Sequence, residues 1–263
     1  VQHHKAHFAA VLGEHRLLDQ EDAVLGVIWD GTGYGEDGAI WGGEFFRYCG
    51  GAMERAGHLD NYDWLTGDKM AREPRLSLLS LWEGPGASIQ EKFSREEWRL
   101  YSQLKEKNTL KTSSMGRLFD AVSSLLGLCD RNTFEGEGAM MLEAAAAGFD
   151  PGLATCHATL DPSGNIPARA LVRSLHEARS SGNPVAQIAG DFIFTLVNLI
   201  FEKAALEAVG KVAFSGGVFQ NALLVELLHR CNPGPFELYF HRELSPNDEN
   251  IPFGQIMYHL NCH

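Results

Sequence analysis

Three histidines stand within five consecutive positions near the start of the chain, in the stretch VQHHKAH. If this stretch is helical, His3 and His7 share one face, because side chains four residues apart stack along a helix, and His4 points elsewhere. Two imidazoles on one helix face are a common part of a metal site, although the same pair also occurs by chance. The spacing alone does not distinguish a metal site from a chance pair. A metal site would require further ligands from elsewhere in the chain.

Two aspartates are candidates for those ligands. Asp30 opens the segment DGTGYG directly after an apolar run, and Asp248 lies in SPNDENIPFG after a second one. A carboxylate that follows a buried strand projects towards the cleft at the edge of the sheet, where α/β folds bind their ligands. Two imidazole nitrogens and two carboxylate oxygens would suit zinc or ferrous iron better than magnesium or calcium.

Two glycine-rich segments could hold an anionic group. Backbone amides of glycine approach a phosphate closely, and the start of a helix favours negative charge. Each segment alone is more typical of a tight turn than of a nucleotide site, and neither is a complete nucleotide-binding motif. The polar residues Thr32 and Asn221 beside the glycines shift the balance towards a ligand site. The residues concerned are Gly31, Thr32, Gly33 and Gly35 in DGTGYG, and Gly216, Gly217 and Asn221 in SGGVFQN.

Two further segments carry charges that allow two interpretations each. In GDKMAREPR, Lys69 and Arg72 are either the solvated start of a helix or cations that contact phosphate. In SSMGRLFDAV, Gly116 and Asp120 lie four residues apart, so a carboxylate on a helix could accept hydrogen bonds from ribose hydroxyls. Otherwise Asp120 is an exposed helix residue.

The sequence offers no convincing nucleophile. Ser215 precedes a double glycine but lacks the G-x-S-x-G context of an elbow serine. Cys156 has a histidine, His157, beside it, but this neighbour alone is weak support for a covalent thiol mechanism. Glu135 and Glu137 could form an acid pair, but glutamates near the start of a helix are favoured electrostatically in any case, which favours a structural role.

Composition excludes several classes of protein. A 263-residue chain with 44% hydrophobic residues can bury a core, and a net charge of -12 argues against nucleic acid as a partner. Five scattered cysteines without a CxxC pair fit reduced thiols and a cytoplasmic location. The apolar segment from Ile188 carries Asp191, Glu202 and Lys203, so we interpret it as a buried core helix rather than a membrane span.

Periodicity predicts a helix-rich α/β fold. HKAHFAAVLGEH predicts a helix, and residues 23–29 predict a buried strand that ends in the glycine turn DGTGYG. Residues 89–147 are expected to be largely helical, with further helices from residues 168 and 188. The segments that begin at KVAF and at ELYF each predict a strand, a loop and a helix.

The chain resembles one known family over almost its whole length. Seven segments, in this order along the chain, resemble segments of the C-terminal carbamoyltransferase domain of the HypF hydrogenase maturation proteins. This resemblance implies one domain over 1–263 with the actin-like, sugar-kinase-like ATPase fold, in which two lobes enclose a nucleotide cleft. A helical lobe would span about 85–210 and the strand–loop–helix segments of 211–263 would close the cleft. The segments are QHHKAH, DGTGYGEDGAIWGGEFF, GDKMAREPR, TSSMGRLFDAVSSLLGL, FEGEGAMMLE, FSGGVFQNALL and SPNDENIPFGQ.

The resemblance also implies a site. Its metal ligands would be His3, His7, Asp30 and Asp248. Its positions for ATP, AMP or carbamoyl adenylate would be Asp30, Gly31, Thr32, Gly33, Gly35, Gly116, Asp120, Gly216, Gly217 and Asn221.

The chemistry implied is transfer of a carbamoyl group from carbamoyl adenylate to the C-terminal cysteine thiol of a HypE-type partner, for the cyanide ligand of nickel–iron hydrogenase. The chain starts on its histidine motif, so we expect the first lobe to be incomplete and the domain that activates carbamoyl phosphate to be absent. The alternatives are an O-carbamoyltransferase, a magnesium-dependent kinase of the same fold acting on a hydroxyl group, and a non-enzymatic ATP-binding assembly module.

Overall fold

The computed structural model describes residues 1–234 and 236–262. Its strands are β1 (Val24–Tyr34), β2 (Ile40–Cys49), β3 (Ala52–His58), β4 (Tyr62–Asp63), β5 (Lys111–Thr112), β6 (Lys211–Ser215) and β7 (Glu237–Tyr239). Its helices are α1 (His3–Glu14), α2 (Lys69–Arg72), α3 (Pro74–Leu81), α4 (Ala87–Gln90), α5 (Arg95–Lys107), α6 (Met115–Leu125), α7 (Glu137–Ala145), α8 (Ala168–Ser180), α9 (Val185–Leu206), α10 (Ala222–Arg230) and α11 (Ile251–Asn261). The mixed α/β class expected from the sequence is confirmed.

A single mixed sheet holds these strands in the order β4-β5-β2-β1-β6-β7, with β3 on β2. Strand β1 lies at its centre, antiparallel to β2 and parallel to β6. Residues 24–29 of β1 are buried throughout, as a strand covered on both faces requires. The carboxyl ends of β1 and β6 therefore meet at one edge of the sheet.

The segment DGTGYG is not the turn that the sequence predicts. Strand β1 continues through it to Tyr34, and the turn to β2 follows after Gly35. The pairing of β1 with β2 shifts between Trp29 and Gly33, so Asp30 lies in a bulge. A bulge re-aims the side chains at its position, and here it turns the chain at the end of the parallel pair β1–β6.

Helix α1 is held against the sheet and against α11. The side chain of Gln2 caps its first turn by accepting the N–H of Lys5 at 2.9 Å. Gly254 on α11 allows the two helices to meet, because a Cβ there would lie 1.9 Å from the carbonyl oxygen of Ala6. This packing buries most of α1 and fixes the direction of its histidines.

The helices between residues 87 and 206 follow the predicted pattern with one interruption. Within the stretch expected to be largely helical from residue 89, α4 and α5 are separate helices, because the capping box of Ser94 with Glu97 starts α5. Helix α9 is long and apolar enough to pass a test for a membrane span, but it is mostly buried inside the protein. The prediction of a core helix is confirmed.

Candidate metal centre between two cavities

Four side chains from three separate elements converge beside the end of β1. His3 and His7 come from α1, Asp30 from the bulge of β1, and Asp248 from the turn of 3-10 helix before α11. One nitrogen or oxygen of each lies within 4.8 Å of the others. His3 Nε2 is 3.0 Å from Asp30 Oδ2, and His7 Nε2 is 3.4 Å from Asp248 Oδ1. We call these residues the four-residue cluster.

The cluster combines imidazoles, which can be positively charged, with negatively charged carboxylates, and its members differ in exposure to solvent. His7 is fully buried, whereas the side chain of Asp248 is 73% exposed. Burial alone lowers the pKa of His7, but its contacts with Asp248 and Asp30 outweigh that effect and raise the pKa above its ordinary value. Burial acts to raise the pKa of Asp30, and the hydrogen bond to His3 together with the nearby imidazole of His7 reverses this and holds the pKa well below the usual range.

The donor set fits a divalent transition metal. His7 Nε2 is buried without a hydrogen-bond partner among the described residues, and it faces the two carboxylates. A buried polar atom is normally paired, so an unpaired nitrogen in a cluster of potential ligands indicates a missing partner. Two imidazoles with two carboxylates are ligands that zinc and ferrous iron accept. Each of the four residues predicted from the sequence contributes an atom to the cluster.

His4 lies outside this cluster, as helical spacing predicts. Its Nδ1 accepts a hydrogen bond from Gln2 Nε2 at 3.0 Å, and burial, reinforced by the neighbouring His3, lowers its pKa to about 3. Gly33 packs on the two rings, since a Cβ there would come within 2.6 Å of His4 and 2.8 Å of His3. The absence of a side chain at Gly33 therefore makes room for the histidines.

Two cavities adjoin the cluster. The smaller cavity, of about 540 Å³, is lined by six of the residues predicted to bind a nucleotide: Asp30, Gly31, Gly116, Asp120, Gly217 and Asn221. The larger cavity, of about 970 Å³, is lined by Thr32, Gly33 and Arg72 among others. Six residues line both cavities: Asp30, Gly31, Arg117, Glu135, Gly136 and Asp248. Two members of the four-residue cluster thus stand where the cavities meet.

Backbone glycines bring the walls of the smaller cavity together. Gly116 packs on Gly31, because a Cβ on Gly116 would lie 3.1 Å from the Cα of Gly31. A Cβ on Gly217 would lie 3.4 Å from Asp30 Oδ1, so this backbone passes directly beside the cluster. Asn221 caps α10 by accepting the N–H of Leu224 at 2.8 Å.

Asp120 is buried rather than exposed. Its carboxylate lies 2.7 Å from Arg117 Nε, one turn earlier on α6. Burial raises the pKa of Asp120, although the neighbouring Arg117 and a hydrogen bond to Asn132 oppose that shift. The interpretation as an exposed helix residue is wrong, and the carboxylate lines the smaller cavity.

Three predicted contact residues line neither cavity in the described part of the chain. Lys69 donates to Tyr101 Oη at 2.6 Å, so its ammonium is already engaged. Gly35 packs on Trp41, where a Cβ would come within 2.3 Å of the indole nitrogen. Gly216 has a φ of +103° and lies against the backbone of Trp29, so its glycine serves the chain reversal after β6.

Sequence reasoning missed several residues of the site. Arg117 lines both cavities, and its i, i+3 spacing to Asp120 is a signal that could have identified it. Glu135, for which the sequence favoured a structural role, also lines both cavities. Ser215, considered only as a nucleophile, instead contacts His7 and His241. No local pattern reports that contact, because the three residues come from distant parts of the sequence.

The fold and the site together define the class of protein. It is a mixed α/β protein that carries a cluster of histidines and carboxylates between two cavities. A family model described as carbamoyltransferase, Kae1-like domain, second subdomain, matches residues 26–255. The chain therefore belongs to the HypF carbamoyltransferase family.

Individual relatives agree with this assignment. Carbamoyltransferase HypF of Synechocystis is 37% identical over 98% of this chain and 36% of its own length. The crystal structure of full-length HypF in its phosphate- and nucleotide-bound form matches with a TM-score of 0.87 and 31% identity, over 98% of this chain and 42% of that one. The structure of T. kodakarensis HypF matches with a TM-score of 0.83 and 29% identity, over 99% of this chain and 36% of that one. The chain thus spans well under half the length of these relatives.

Proposed function

We propose that this chain transfers a carbamoyl group from carbamoyl adenylate to a thiol, the C-terminal cysteine of a HypE-type partner, during maturation of nickel–iron hydrogenase. The observation that carries the proposal is the position of Asp30 and Asp248, which belong to the four-residue cluster and line both cavities. A group transfer needs a donor and an acceptor that meet at one point, and the cavities share these residues.

The smaller cavity is assigned to the adenylate. Gly116 and Gly217 leave backbone exposed in its wall, and the buried Asp120 supplies a carboxylate that can accept hydrogen bonds from ribose hydroxyls. Full-length HypF has been solved in a phosphate- and nucleotide-bound form, which supports a nucleotide as a ligand of the family. Arg72 and Arg117 line the larger cavity, where their guanidinium groups can bind a phosphate or the terminal carboxylate of the partner chain.

His3, His7, Asp30 and Asp248 would hold a zinc or ferrous ion. Such an ion polarises a carbonyl or neutralises a phosphate as a Lewis acid. The chain's own residues do the rest: the cluster fixes the point of transfer, and the glycine-lined wall keeps the leaving AMP in place. The cysteine thiol comes from the partner, which agrees with the lack of an activated nucleophile in the sequence.

The remaining expectations complete this proposal. We assign the chain to the actin-like fold, with a helical lobe around 85–210 and a cleft closed by 211–263. Formation of carbamoyl adenylate from carbamoyl phosphate is assigned to parts of the longer relatives outside the matched region. The five free cysteines, none of them joined to another, support a reducing cytoplasmic compartment.

A transfer assay tests the proposal. The zinc-loaded chain is mixed with synthetic carbamoyl adenylate and a peptide that ends in cysteine, and mass spectrometry reports the peptide with one added carbamoyl group. We expect transfer by the wild type and none above background by Asp30→Asn. A serine-ended peptide serves as control. Preferred modification of serine would replace the thiol acceptor by a hydroxyl acceptor, and absence of transfer from a folded, zinc-loaded chain would overturn the proposal.

A further inference from the structure

A line of hydrogen bonds leads from His7 away from the four-residue cluster. His7 Nδ1 lies 3.2 Å from Ser215 Oγ, which lies 2.9 Å from His241 Nε2. His241 Nδ1 in turn lies 2.7 Å from Glu14 Oε2. The side chain of His241 is 2% exposed and Ser215 is fully buried, so these groups bond to each other rather than to bulk water. We call this line the Glu14 relay.

Glu14 determines the direction of the relay. Its Oε1 accepts the backbone N–H groups of Arg242 at 2.8 Å, Glu243 at 2.6 Å and Leu244 at 3.4 Å. These bonds and the contact with His241 lower the pKa of Glu14 against the opposing effect of burial. An ionised carboxylate only accepts hydrogen bonds, so Nδ1 of His241 must carry a proton and donate it.

The direction then passes through each following group. Burial lowers the pKa of His241, so the ring is neutral and its Nε2 is an acceptor. Two donors face that nitrogen, Ser215 Oγ at 2.9 Å and Asn250 Nδ2 at 3.4 Å, and the shorter contact assigns the single hydroxyl proton of Ser215 to it. With its only proton donated to His241, Ser215 Oγ can act only as an acceptor towards His7. Its other lone pair accepts the N–H of Asn250 at 3.2 Å. Asn250 Nδ2 also donates to the carbonyl of Ser245, which fixes the orientation of that amide. His7 Nδ1 must therefore carry a proton.

We propose that Glu14, His241 and Ser215 are positioning residues, which hold His7 in its Nδ1-protonated form and leave Nε2 free to bind a divalent metal ion. Histidines that bind metals commonly donate their second ring nitrogen to a partner that fixes the tautomer. The consequence for the metal rests on the proposed function, whereas the direction of the hydrogen bonds does not.

One substitution should reverse the whole relay. In Glu14→Gln, three backbone N–H groups require an oxygen at the Oε1 position, so the new NH₂ group must face His241. His241 would then accept at Nδ1 and carry its proton on Nε2, and Ser215 would donate to His7. His7 would be left with its proton on Nε2, the nitrogen that faces Asp30 and Asp248.

The first measurement reads the relay without metal or activity. Nitrogen-15 NMR of the metal-free wild type, at a pH where His241 is neutral, should show its proton on Nδ1. In Glu14→Gln the same ring should carry its proton on Nε2. A wild-type His241 protonated on Nε2 would overturn the proposal, even if the variant does not fold.

The second measurement reads the consequence for zinc. Competition against a chelator should show zinc affinity reduced about 100-fold in Glu14→Gln, because the hydrogen bonds then hold the proton of His7 on Nε2. In Ser215→Ala the affinity should fall about tenfold, because neither tautomer of His7 is then fixed by a hydrogen bond at Nδ1. Glu202→Gln is the matched control, because Glu202 also accepts a backbone N–H, that of Leu160, but lines neither cavity among the described residues. We expect this control to bind zinc as the wild type does.

The outcomes separate the two proposals. Tight zinc binding by the wild type together with equal binding by folded Glu14→Gln would overturn the role of the relay and leave the proposed function standing. A wild type that binds no zinc, with His241 protonated on Nδ1, would overturn the metal site while the hydrogen-bond direction stands.

Discussion

Two histidine–aspartate groups in this chain use the same residue types for different purposes. In the four-residue cluster, side chains from three separate elements converge, and two of them line cavities. The second group pairs His157 Nε2 with Asp191 Oδ2 at 3.6 Å, and His157 Nδ1 with Ser174 at 2.9 Å. None of these three residues lines either cavity in the described part of the chain.

The remaining contacts of the second group explain the difference. Asp191 Oδ1 accepts the backbone N–H of Thr155 and the amide of Gln187, each at 2.9 Å, and Thr195 Oγ1 accepts the N–H of His157 at 3.0 Å. Asp191 Oδ1 and Thr195 Oγ1 bond to backbone and so attach a coil segment to α9. His157 Nε2 and Asp191 Oδ2 face each other without a further hydrogen-bond partner among the described residues, but no second pair of ligands joins them. Histidine beside aspartate is therefore a site only where several ligand atoms converge on accessible space.

Zinc affinity should separate the two groups most strongly. In Asp30→Asn the cluster loses a ligand charge, and the dissociation constant for zinc should rise by more than the roughly 100-fold that loss of a supporting partner can reach. In Asp191→Asn it should stay at the wild-type value. Chelator competition at one pH measures both, and equal losses in the two variants would contradict the distinction.

The free energy of unfolding should depend more on the second group than on the four-residue cluster, the reverse of the order expected for zinc affinity. Asp191→Ala leaves buried donors without an acceptor, so we expect the free energy of unfolding to fall by about 2 to 3 kcal/mol. Asp248→Ala removes a side chain that is 73% exposed, and the loss should stay below about 0.5 kcal/mol. Urea unfolding of the metal-free proteins measures the pair. A larger loss for Asp248→Ala would place that residue in the structural group.

The pH dependence of stability tests the electrostatics of the cluster. Because the folded pKa of His7 is raised, its protonated form stabilises the metal-free fold fully below the unfolded value of about 6.5. That stabilisation is lost as pH rises through the folded pKa. The unfolding free energy of the wild type should thus fall as the pH rises above about 6.5, and His7→Gln should lack this decline. An unchanged slope in His7→Gln would show that other groups produce it.

The smallest effect concerns two neighbouring cations. Arg72 lines the larger cavity, whereas Lys69 is engaged with Tyr101. Arg72→Ala should weaken binding of inorganic phosphate in the larger cavity by up to about fivefold, the worth of an exposed ion pair, and Lys69→Ala should leave it unchanged. Calorimetric titration with inorganic phosphate decides, and a loss confined to Lys69→Ala would reverse the assignment.

Local pattern was sufficient for some of these features and not for others. Helix α1 and the shared face of His3 and His7 follow from spacing within twelve residues, so the sequence predicted both. The bulge at Asp30 was mistaken for a turn, because pairing with β2 decides between the two. The sequence left the role of Lys69 open, because Tyr101, whose hydroxyl its ammonium contacts, lies on another helix.

The Glu14 relay lay furthest beyond sequence reasoning. Its end groups, Glu14 and His241, are separated by 227 positions, and Ser215 between them comes from a third element. Only the packing of α1 against β6 and the segment after β7 brings them together. Convergence of distant elements is the information that residue types and spacing do not contain.

Metal content tests the central claim most directly. The purified wild type, His7→Ala and His157→Ala are loaded with zinc, dialysed extensively, checked for folding by circular dichroism and analysed for metal. We predict close to one zinc per chain in the wild type and in His157→Ala, and none in His7→Ala. A folded wild type that retains no zinc or iron, or a His7→Ala variant that retains as much as the wild type, would contradict the claim that this cluster is a metal site.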